Sequence, residues 1–375
     1  MTYLLQHENN IVAELQFDGN YNVTKFTIHN KDLLPAYVLV ENKITRKSFD
    51  DWITEKKISS SRENIQTVFE EYNVRNTREL FIKNYGLSLT DHYWIKPSDE
   101  NIKWENINCF ENKFSSKMGD ILIGDDIKNE EDGISPESTS GGALPKKWEQ
   151  REDGIYLIRK SPTVFAQDPF NEVIANEIMN RLNINNVEYK IEWKDSIPNS
   201  VCKNFLKNDQ ELIHAFELAH IIDFKGERYN TFLTICQKNN IVDIKKNLDE
   251  MITLDYIIGN TDRHFNNFGF IRNTKTLRFE GFAPIYDSGN SLWYDEHERA
   301  IKVVNDIRSR PFKSSHDEQI RKADLSQFDF NKLKDISDFI NDTLKENKTI
   351  TDTRRNIIVY TTKCRIENIK QLQRP

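Results

Sequence analysis

The sequence predicts an α+β chain built as two lobes, with a β-rich region appended at the N-terminus. Three observations carry that prediction. The 375 residues exceed what one core of ordinary size organises. Apolar and polar residues alternate along the first thirty positions, and strand and helix patterns then lie side by side before helical spacing takes over. With 37% hydrophobic and 30% charged residues, the chain can bury a sizeable core and lacks the composition of a disordered protein. Lys and Arg number 52 against 59 Asp and Glu, a formal charge of −7, so phosphate backbones and anionic lipid exert no general attraction. Neither direct nucleic-acid binding nor a membrane is expected. Without a run of about 18 apolar residues or a basic-then-apolar leader, the expected location is cytoplasmic. Cys109, Cys202, Cys236 and Cys364 are far apart with no CxxC pair, which argues against a zinc ribbon or disulfide framework and for reduced, buried thiols.

Taken in order, LLQHENNIVAELQF and VTKFTI alternate as hairpin-joined strands do. Ser60-Ser61-Arg62-Glu63 fits a capping box, and Ile65, Val68, Phe69 and Tyr72 follow at helical spacing, so a helix is expected there and a second near Thr77 to Asn84. At 124–142, GDDIKNEEDGISPESTSGG places five acids before a Gly, Ser and Pro cluster, which predicts a mobile loop. GIYLIRK at 154–160 reads as a buried strand, and 171–182 as a helix with Ile174, Ile178 and Leu182 on one side. VEYKIEW and SVCKNFL read as strands bracketing Pro198, with the small sheet ending near residue 207. Ile244, Leu248, Met251, Ile252 and Ile258 mark a long helix from Ile241 that ends at Gly259, a C′ glycine. A polar loop, the strand FGFIRN, a turn at Thr274-Lys275 and the return strand LRFEGFAPIYD come next. The last third is helical, with Ile357, Ile358, Thr361, Cys364 and Ile369 in register. No internal repeat interrupts this order. The implied division is 1–115, 116–207 and 208–375.

The chemistry concentrates in Asp262-Arg263-His264-Phe265-Asn266-Asn267 and, past the hairpin, Asp287-Ser288-Gly289. Phosphoryl transfer from ATP needs an acceptor-only side chain near the attacking hydroxyl and oxygen ligands for Mg²⁺. A kinase catalytic loop supplies an Asp with an Asn five residues on, and an Asp-x-Gly turn after the next hairpin supplies the second ligand. Asp262, Asn267 and Asp287 have that arrangement. His264 stands where protein kinases carry a Lys, and Asn260 and Thr261 precede the Asp. The plain alternative is an Asx-rich turn capping a helix, with Asp287 in an ordinary turn.

These residues resemble the HipA-like serine/threonine kinases of bacteria. The blocks IIGNTDRHFNNFGF and FAPIYDSGNSLW carry the resemblance, and TSGGALPKKW, YLIRK, PFNEVIANEIMNRL and SVCKNFL extend it over residues 135–300. It implies a two-lobed protein-kinase-like fold with ATP in the cleft. Asp262 would be the base or hydroxyl-orienting residue, Asn267 and Asp287 would hold Mg²⁺, and His264 would sit at the phosphate end. Gly141, Gly142 and Lys146 would form a phosphate loop. In the family this loop carries an autophosphorylated hydroxyl whose modification ejects it. Thr139 matches best, beside Ser138 and Ser140, against the alternative of an unstructured Ser/Thr linker. Arg159 falls at the position of the family's strand lysine with Lys160 beside it, and alternation lets only one face the nucleotide. Glu172 would orient that cation or simply favour the helix dipole. The adenine hinge would lie at Asn204, Phe205 and Leu206, of which Phe205 and Leu206 read equally well as strand core. The family often works as a toxin with a small DNA-binding antitoxin, and residues 1–115 would be a fused subdomain. His92 there reads as core packing.

The reading that follows is an ATP- and Mg²⁺-dependent kinase that phosphorylates Ser or Thr on itself and on a protein substrate. His264 motivates a small-molecule phosphotransferase as an alternative. Arg159 motivates another, a weakly active nucleotide-binding regulatory module.

Overall fold

A computed structural model describes residues 1–38, 43–127, 133–162, 164–220, 227–301 and 307–373. Strands β1 (Thr2–His7), β2 (Asn10–Phe17) and β3 (Val23–Ile28) form the expected antiparallel hairpins. Leu5, Val12, Ala13 and Leu15 are buried against Phe49, Trp52 and Ile53 of α1 (Arg46–Lys56). Alternation brings Leu5, Ala13 and Leu15 to one face, and a register shift between Leu5 and Gln6 leaves Val12 without a partner on β1. Thr45 opens α1 by accepting from the Ser48 amide at 3.1 Å. The next helix, α2 (Ile65–Glu71), starts later than expected, after Asn64 at φ 59°, and the capping box at Ser60 does not form. Residues 59–62 turn instead, with the Ser61 amide donating to Ser59 Oγ at 3.1 Å, and this sends the Arg62 side chain inward. Helix α3 (Thr77–Lys83) is capped by Asn76, and β4 (Tyr93–Pro97) completes the sheet in the order β3-β2-β1-β4.

Helix α4 (Lys117–Ile123) ends at Gly124. The expected mobile loop is corrected over 133–140, while its acids at 128–132 lie outside the described residues. Pro136–Thr139 form a tight 3-10 turn in which Ser135, Glu137 and Ser138 are buried. The polar cluster tolerates burial because earlier segments meet its backbone: the Ser135 amide donates to Asn84 Oδ1 at 3.1 Å and Ile58 N–H to Ser138 O at 2.8 Å.

Strands β5 (Lys146–Arg151), β6 (Gly154–Lys160), β7 (Tyr189–Lys194) and β8 (Ile197–Lys203) make an antiparallel sheet in the order β5-β6-β8-β7. The turn between the last two in sequence is Asp195-Ser196, both at positive φ, so Pro198 lies inside β8 opposite Trp193 and not between strands. Between β6 and β7 runs α5 (Asp168–Leu182), three residues longer at its start than expected because Pro169 suits the first turn.

The small sheet ends at Lys203, close to the expected 207, but a strand not expected from the sequence comes next and joins a separate sheet. Strand β9 (Gln210–His214) follows, then α6 (Ala215–Ala219), α7 (Arg228–Lys238), α8 (Ile244–Ile258), β10 (Gly269–Asn273) and β11 (Phe279–Phe282). The separate sheet has the order β11-β10-β9. β9 pairs with β10 some sixty residues on, as Gly269 faces His214, and five residues carry too little periodicity to announce that. Gly259 closes α8 at φ 62°, as expected of a C′ glycine. Helices α9 (His316–Ile320), α10 (Ile336–Lys345) and α11 (Asp352–Gln373) complete the chain. The largest core joins α5, α8 and α11, where Ile358, Ile366 and Ile369 are buried but Ile357 and Cys364 only partly. Cys109, Cys202 and Cys236 are buried free thiols, and burial pushes each up to about 12. Among the described residues no helix is long and apolar enough to cross a membrane.

The N-terminal sheet joins the rest through a buried polar contact. Arg272 on β10 donates to Glu211 at 2.7 Å and to the Tyr93 hydroxyl at 3.0 Å. His92 is core, as expected, bonded to Glu8 at 3.1 Å and packed on Trp104 and Phe110.

Candidate functional site

The loop after α8 is shaped by polar groups that helix termination leaves needing partners. Asn260 Nδ2 donates to Asp255 Oδ1 at 2.9 Å, its Oδ1 accepts the Asp262 amide at 3.0 Å, and its carbonyl accepts His316 Nε2–H at 2.8 Å. Arg263, fully buried, spans the centre: it pairs with Asp255 at 3.1 Å and donates to Asn267 O at 2.8 Å, Tyr286 O at 2.5 Å and Ser288 Oγ at 3.0 Å. One guanidinium therefore fastens the loop to α8 and to the Asp287-Ser288-Gly289 turn. Asn267 Nδ2 donates to Asp262 O at 2.9 Å, which leaves its Oδ1 for another partner. The Asp262 carboxylate points away from this anchor and is 34% exposed, accepting from Asn290 Nδ2 at 3.0 Å and Arg310 at 3.2 Å. His264 is half-buried, its Nδ1 accepting from the Asn266 amide at 3.2 Å.

On β6 the alternation is resolved. Arg159 is buried and donates to Glu172 at 2.5 Å and Asp287 at 2.6 Å, whereas Lys160 turns the other way, to Ile123 O at 3.0 Å. The Ser288 amide donates to the second Glu172 oxygen at 2.9 Å, so Glu172 holds both the cation and the turn. Asp287 sits at φ 56°, and a side chain at Gly289 would come within 2.6 Å of Arg159, which explains the glycine. Burial works against ionising Asp287, but the Arg159 guanidinium outweighs it and holds the carboxyl below its ordinary value.

Residues 138–146 lead into β5, where Lys146 pairs in register with Arg159. Ser138 and Ser140 are buried, and Thr139 Oγ1 donates to Leu87 O and Pro136 O, both at 2.9 Å. Gly141 and Gly142 are exposed, with Gly142 at φ 81° and a Cβ there 3.5 Å from Lys146 Nζ. Burial and the Arg62 charge push the Lys146 ammonium down to about 8 against the pull of Asp287. Asn204 Nδ2 donates to Leu89 O at 3.0 Å, Leu206 N–H donates to Asn204 Oδ1 at 3.1 Å, and the Phe205 ring stacks on Tyr286 with centroids 6.1 Å apart.

Glu137 beneath the loop yields a pH prediction. Burial raises its carboxyl to about 7 although the Trp148 amide and Arg62 oppose it. The folded state thus keeps a proton that the unfolded chain releases near 4.5, so stability present at low pH is lost as pH rises to about 7. Urea midpoints at pH 5 and 7.5 should show Glu137→Gln losing roughly 2 kcal/mol less than the wild type over that interval. Equal losses would refute the buried carboxyl as the source.

The structure brings together Asp262, Asn267, Asp287, Arg159, Glu172 and Lys146, and leaves Lys160 outside. Sequence reasoning missed Arg62, Asp255, Arg263, Asn290 and Arg310. For Asp255 a signal existed: it is the one acid in the stretch Met251 to Ile258, whose other members apart from Thr253 are apolar.

A model of the HipA-like C-terminal domain family matches residues 138–355, more than half of the chain. The serine/threonine-protein kinase CtkA of Helicobacter pylori is 25% identical over 193 residues, covering 46% of this chain and 58% of that protein, so the chain spans under two thirds of this curated relative. The crystal structure of the Helicobacter pylori proinflammatory kinase CtkA aligns at 16% identity over 61% of this chain and 94% of its own, with a TM-score of 0.46. HipA of Shewanella oneidensis MR-1, solved with HipB and operator DNA, aligns at 12% identity over 99% of this chain and 97% of its own, with a TM-score of 0.55. That overlay extends the likeness of fold to the N-terminal sheet, and the expected two-lobed, kinase-like α+β class holds. With its family match spanning the glycine-rich loop, the Asp262 loop and the Asp287 turn, the chain belongs to the HipA-like C-terminal domain family.

Proposed function

We propose that this chain is an ATP- and Mg²⁺-dependent serine/threonine protein kinase of the HipA type, divided functionally at about residues 115 and 207. One observation carries the reading: the accessible Asp262 carboxylate shares a loop with Asn267, and Arg263 fastens that loop to the Asp287 turn. Asp262 orients the acceptor hydroxyl and takes its proton. Asp287, its carboxyl held below its ordinary value, and Asn267 Oδ1 would supply oxygen ligands of the kind Mg²⁺ prefers. Among the described residues no group of three His, Cys, Asp or Glu side chains could hold a metal alone, which fits an ion shared with a nucleotide. When bound, the ion neutralises phosphate charge. Arg159, oriented by Glu172, and Lys146 meet the phosphates, Gly141 and Gly142 offer amides to them, and His264 donates nearby. Asn204, Phe205 and Leu206 border the adenine. Ser138, Thr139 and Ser140 are the autophosphorylation candidates, and the burial of Ser138 and Ser140, with the hydrogen bonds that hold the Thr139 hydroxyl, requires the loop to leave before they react. A small DNA-binding antitoxin is the partner proposed, by analogy with the HipA–HipB complex.

The 2.6 Å Arg159–Asp287 pair favours a second reading, a nucleotide-binding regulatory module, because the guanidinium already occupies a carboxylate oxygen that the metal would use. Incubation with γ-labelled ATP, with and without Mg²⁺ and with protein extract or small alcohols and sugars as acceptors, separates the possibilities. Mg²⁺-dependent label on protein hydroxyls is expected. Label only on a small molecule would make the chain a small-molecule phosphotransferase, ATP binding without transfer would favour the module, and no binding would end the kinase reading.

A further inference from the structure

The geometry points to Arg62, outside the family match, as a positioning residue: we propose that it holds the glycine-rich loop in its phosphate-accepting shape and so makes the N-terminal region part of the nucleotide site. This rests on the kinase reading above. Arg62 is 2% exposed, and its guanidinium donates to Ser140 O at 2.5 Å, to Gly141 O at 2.9 Å and to Leu144 O. All three acceptors are backbone carbonyls of one short loop, some eighty residues away in sequence. Burying a cation is costly, and an apolar side chain would fill the space without that cost, so what the guanidinium adds is directional.

Peptide planarity supplies the direction. In a trans peptide C=O and N–H point oppositely, so fixing the carbonyls of Ser140 and Gly141 toward Arg62 fixes the N–H groups of Gly141 and Gly142 away from it. Those are the two amides of the phosphate loop, and Gly142 lies beside Lys146. Amides that already converge form an anion-binding concavity without further ordering on binding.

Arg62 does not act alone. The Ile58 amide donates to Ser138 O at 2.8 Å, and Asn84 and Leu87 accept from Ser135 N–H and Thr139 Oγ1 at 3.1 and 2.9 Å. Two and three residues on, Leu89 accepts from Asn204 and Thr90 from the Leu212 amide, at 3.0 and 2.8 Å. The segment 84–90 thus runs behind the loop, the hinge and β9 in turn, and Arg62 closes the clamp over the glycines.

The test compares wild type with Arg62→Met, which keeps bulk without donors, and Arg62→Lys, which keeps one charged donor. Affinity falls in proportion to the fraction of molecules with the loop correctly shaped, so a clamp that raises that fraction about tenfold is read as a tenfold change in dissociation constant. In Arg62→Met, amide exchange of the peptide covering 136–146 should speed up about tenfold and the ATP dissociation constant should rise about tenfold. The kcat at saturating ATP should stay within about twofold of wild type, and Arg62→Lys should fall between. Loss of kcat with unchanged ATP affinity would overturn the proposal, as would unaltered loop exchange in a folded variant. If Arg62→Met does not fold, Arg62→Lys decides on the same two readouts. Should the wild type bind no ATP, the kinase reading fails separately, and loop exchange still decides whether Arg62 is a clamp.

Discussion

Asp262→Asn is expected to lower phosphoryl transfer by about 10³-fold while ATP affinity and melting temperature stay close to those of the wild type. The carboxylate lies between two donors, Asn290 Nδ2 at 3.0 Å and Arg310 at 3.2 Å, and is only half-buried. An amide of the same shape can present oxygen to one donor but turns its NH₂ toward the other. It can neither take a proton nor accept from a hydroxyl through that end. The pair with Arg310 is solvent-accessible on both sides, 38% and 34%, so its loss costs little stability. The phosphate contacts proposed for Arg159, Lys146 and the glycines lie on other elements, which is why binding should persist. Single-turnover transfer and calorimetric ATP binding check this together. More than about a tenth of the wild-type rate would remove Asp262 from the chemistry, because a positioned base is worth at least 10²-fold. Lost ATP binding would place it with the nucleotide instead.

The sequence made legible those parts of the site in which residues close in the chain act together. Asp262 and Asn267 share one loop, Asp287 opens the next turn, and Arg159 reaches Glu172 across a single strand-to-helix connection. Strands with alternation, such as β1 and β2, and helices ending on glycine, such as α8, were equally readable. What stayed hidden depends on long closures. Arg62 looked like a helix-start residue because a capping box scores only four adjacent positions, and nothing local shows that three carbonyls some eighty residues on will outcompete a helical turn. The same holds for 133–140. Its composition is that of an exposed loop, and it is buried because Ile58, Asn84 and Leu87 satisfy it from another region. Arg310, which meets Asp262 from 48 residues downstream, belongs to the same class.

Breaking the Asp255–Arg263 pair should cause the largest loss of stability, about 3–5 kcal/mol for Asp255→Ala, because a guanidinium with no exposure would be left without its counter-charge. Asp255→Asn keeps an acceptor and should lose less, about 1–3 kcal/mol, and the urea midpoint reads both. Stability alone would not show that this pair serves the site. Leu248→Ala on the same helix supplies the comparison, since a fully buried leucine costs about 2–5 kcal/mol when truncated and stands seven residues before Asp255 in the chain. At a temperature where both variants are folded, Leu248→Ala should retain transfer and Asp255→Ala should lose most of it. The reason lies in where the freed guanidinium was aimed: at Asn267 O and Tyr286 O, the backbone of one proposed metal ligand and the residue before the other. A pair that only held α8 together would make the two variants equally active at equal stability. A cost under about 1 kcal/mol would assign the loop's position to His316 and Asn290 instead.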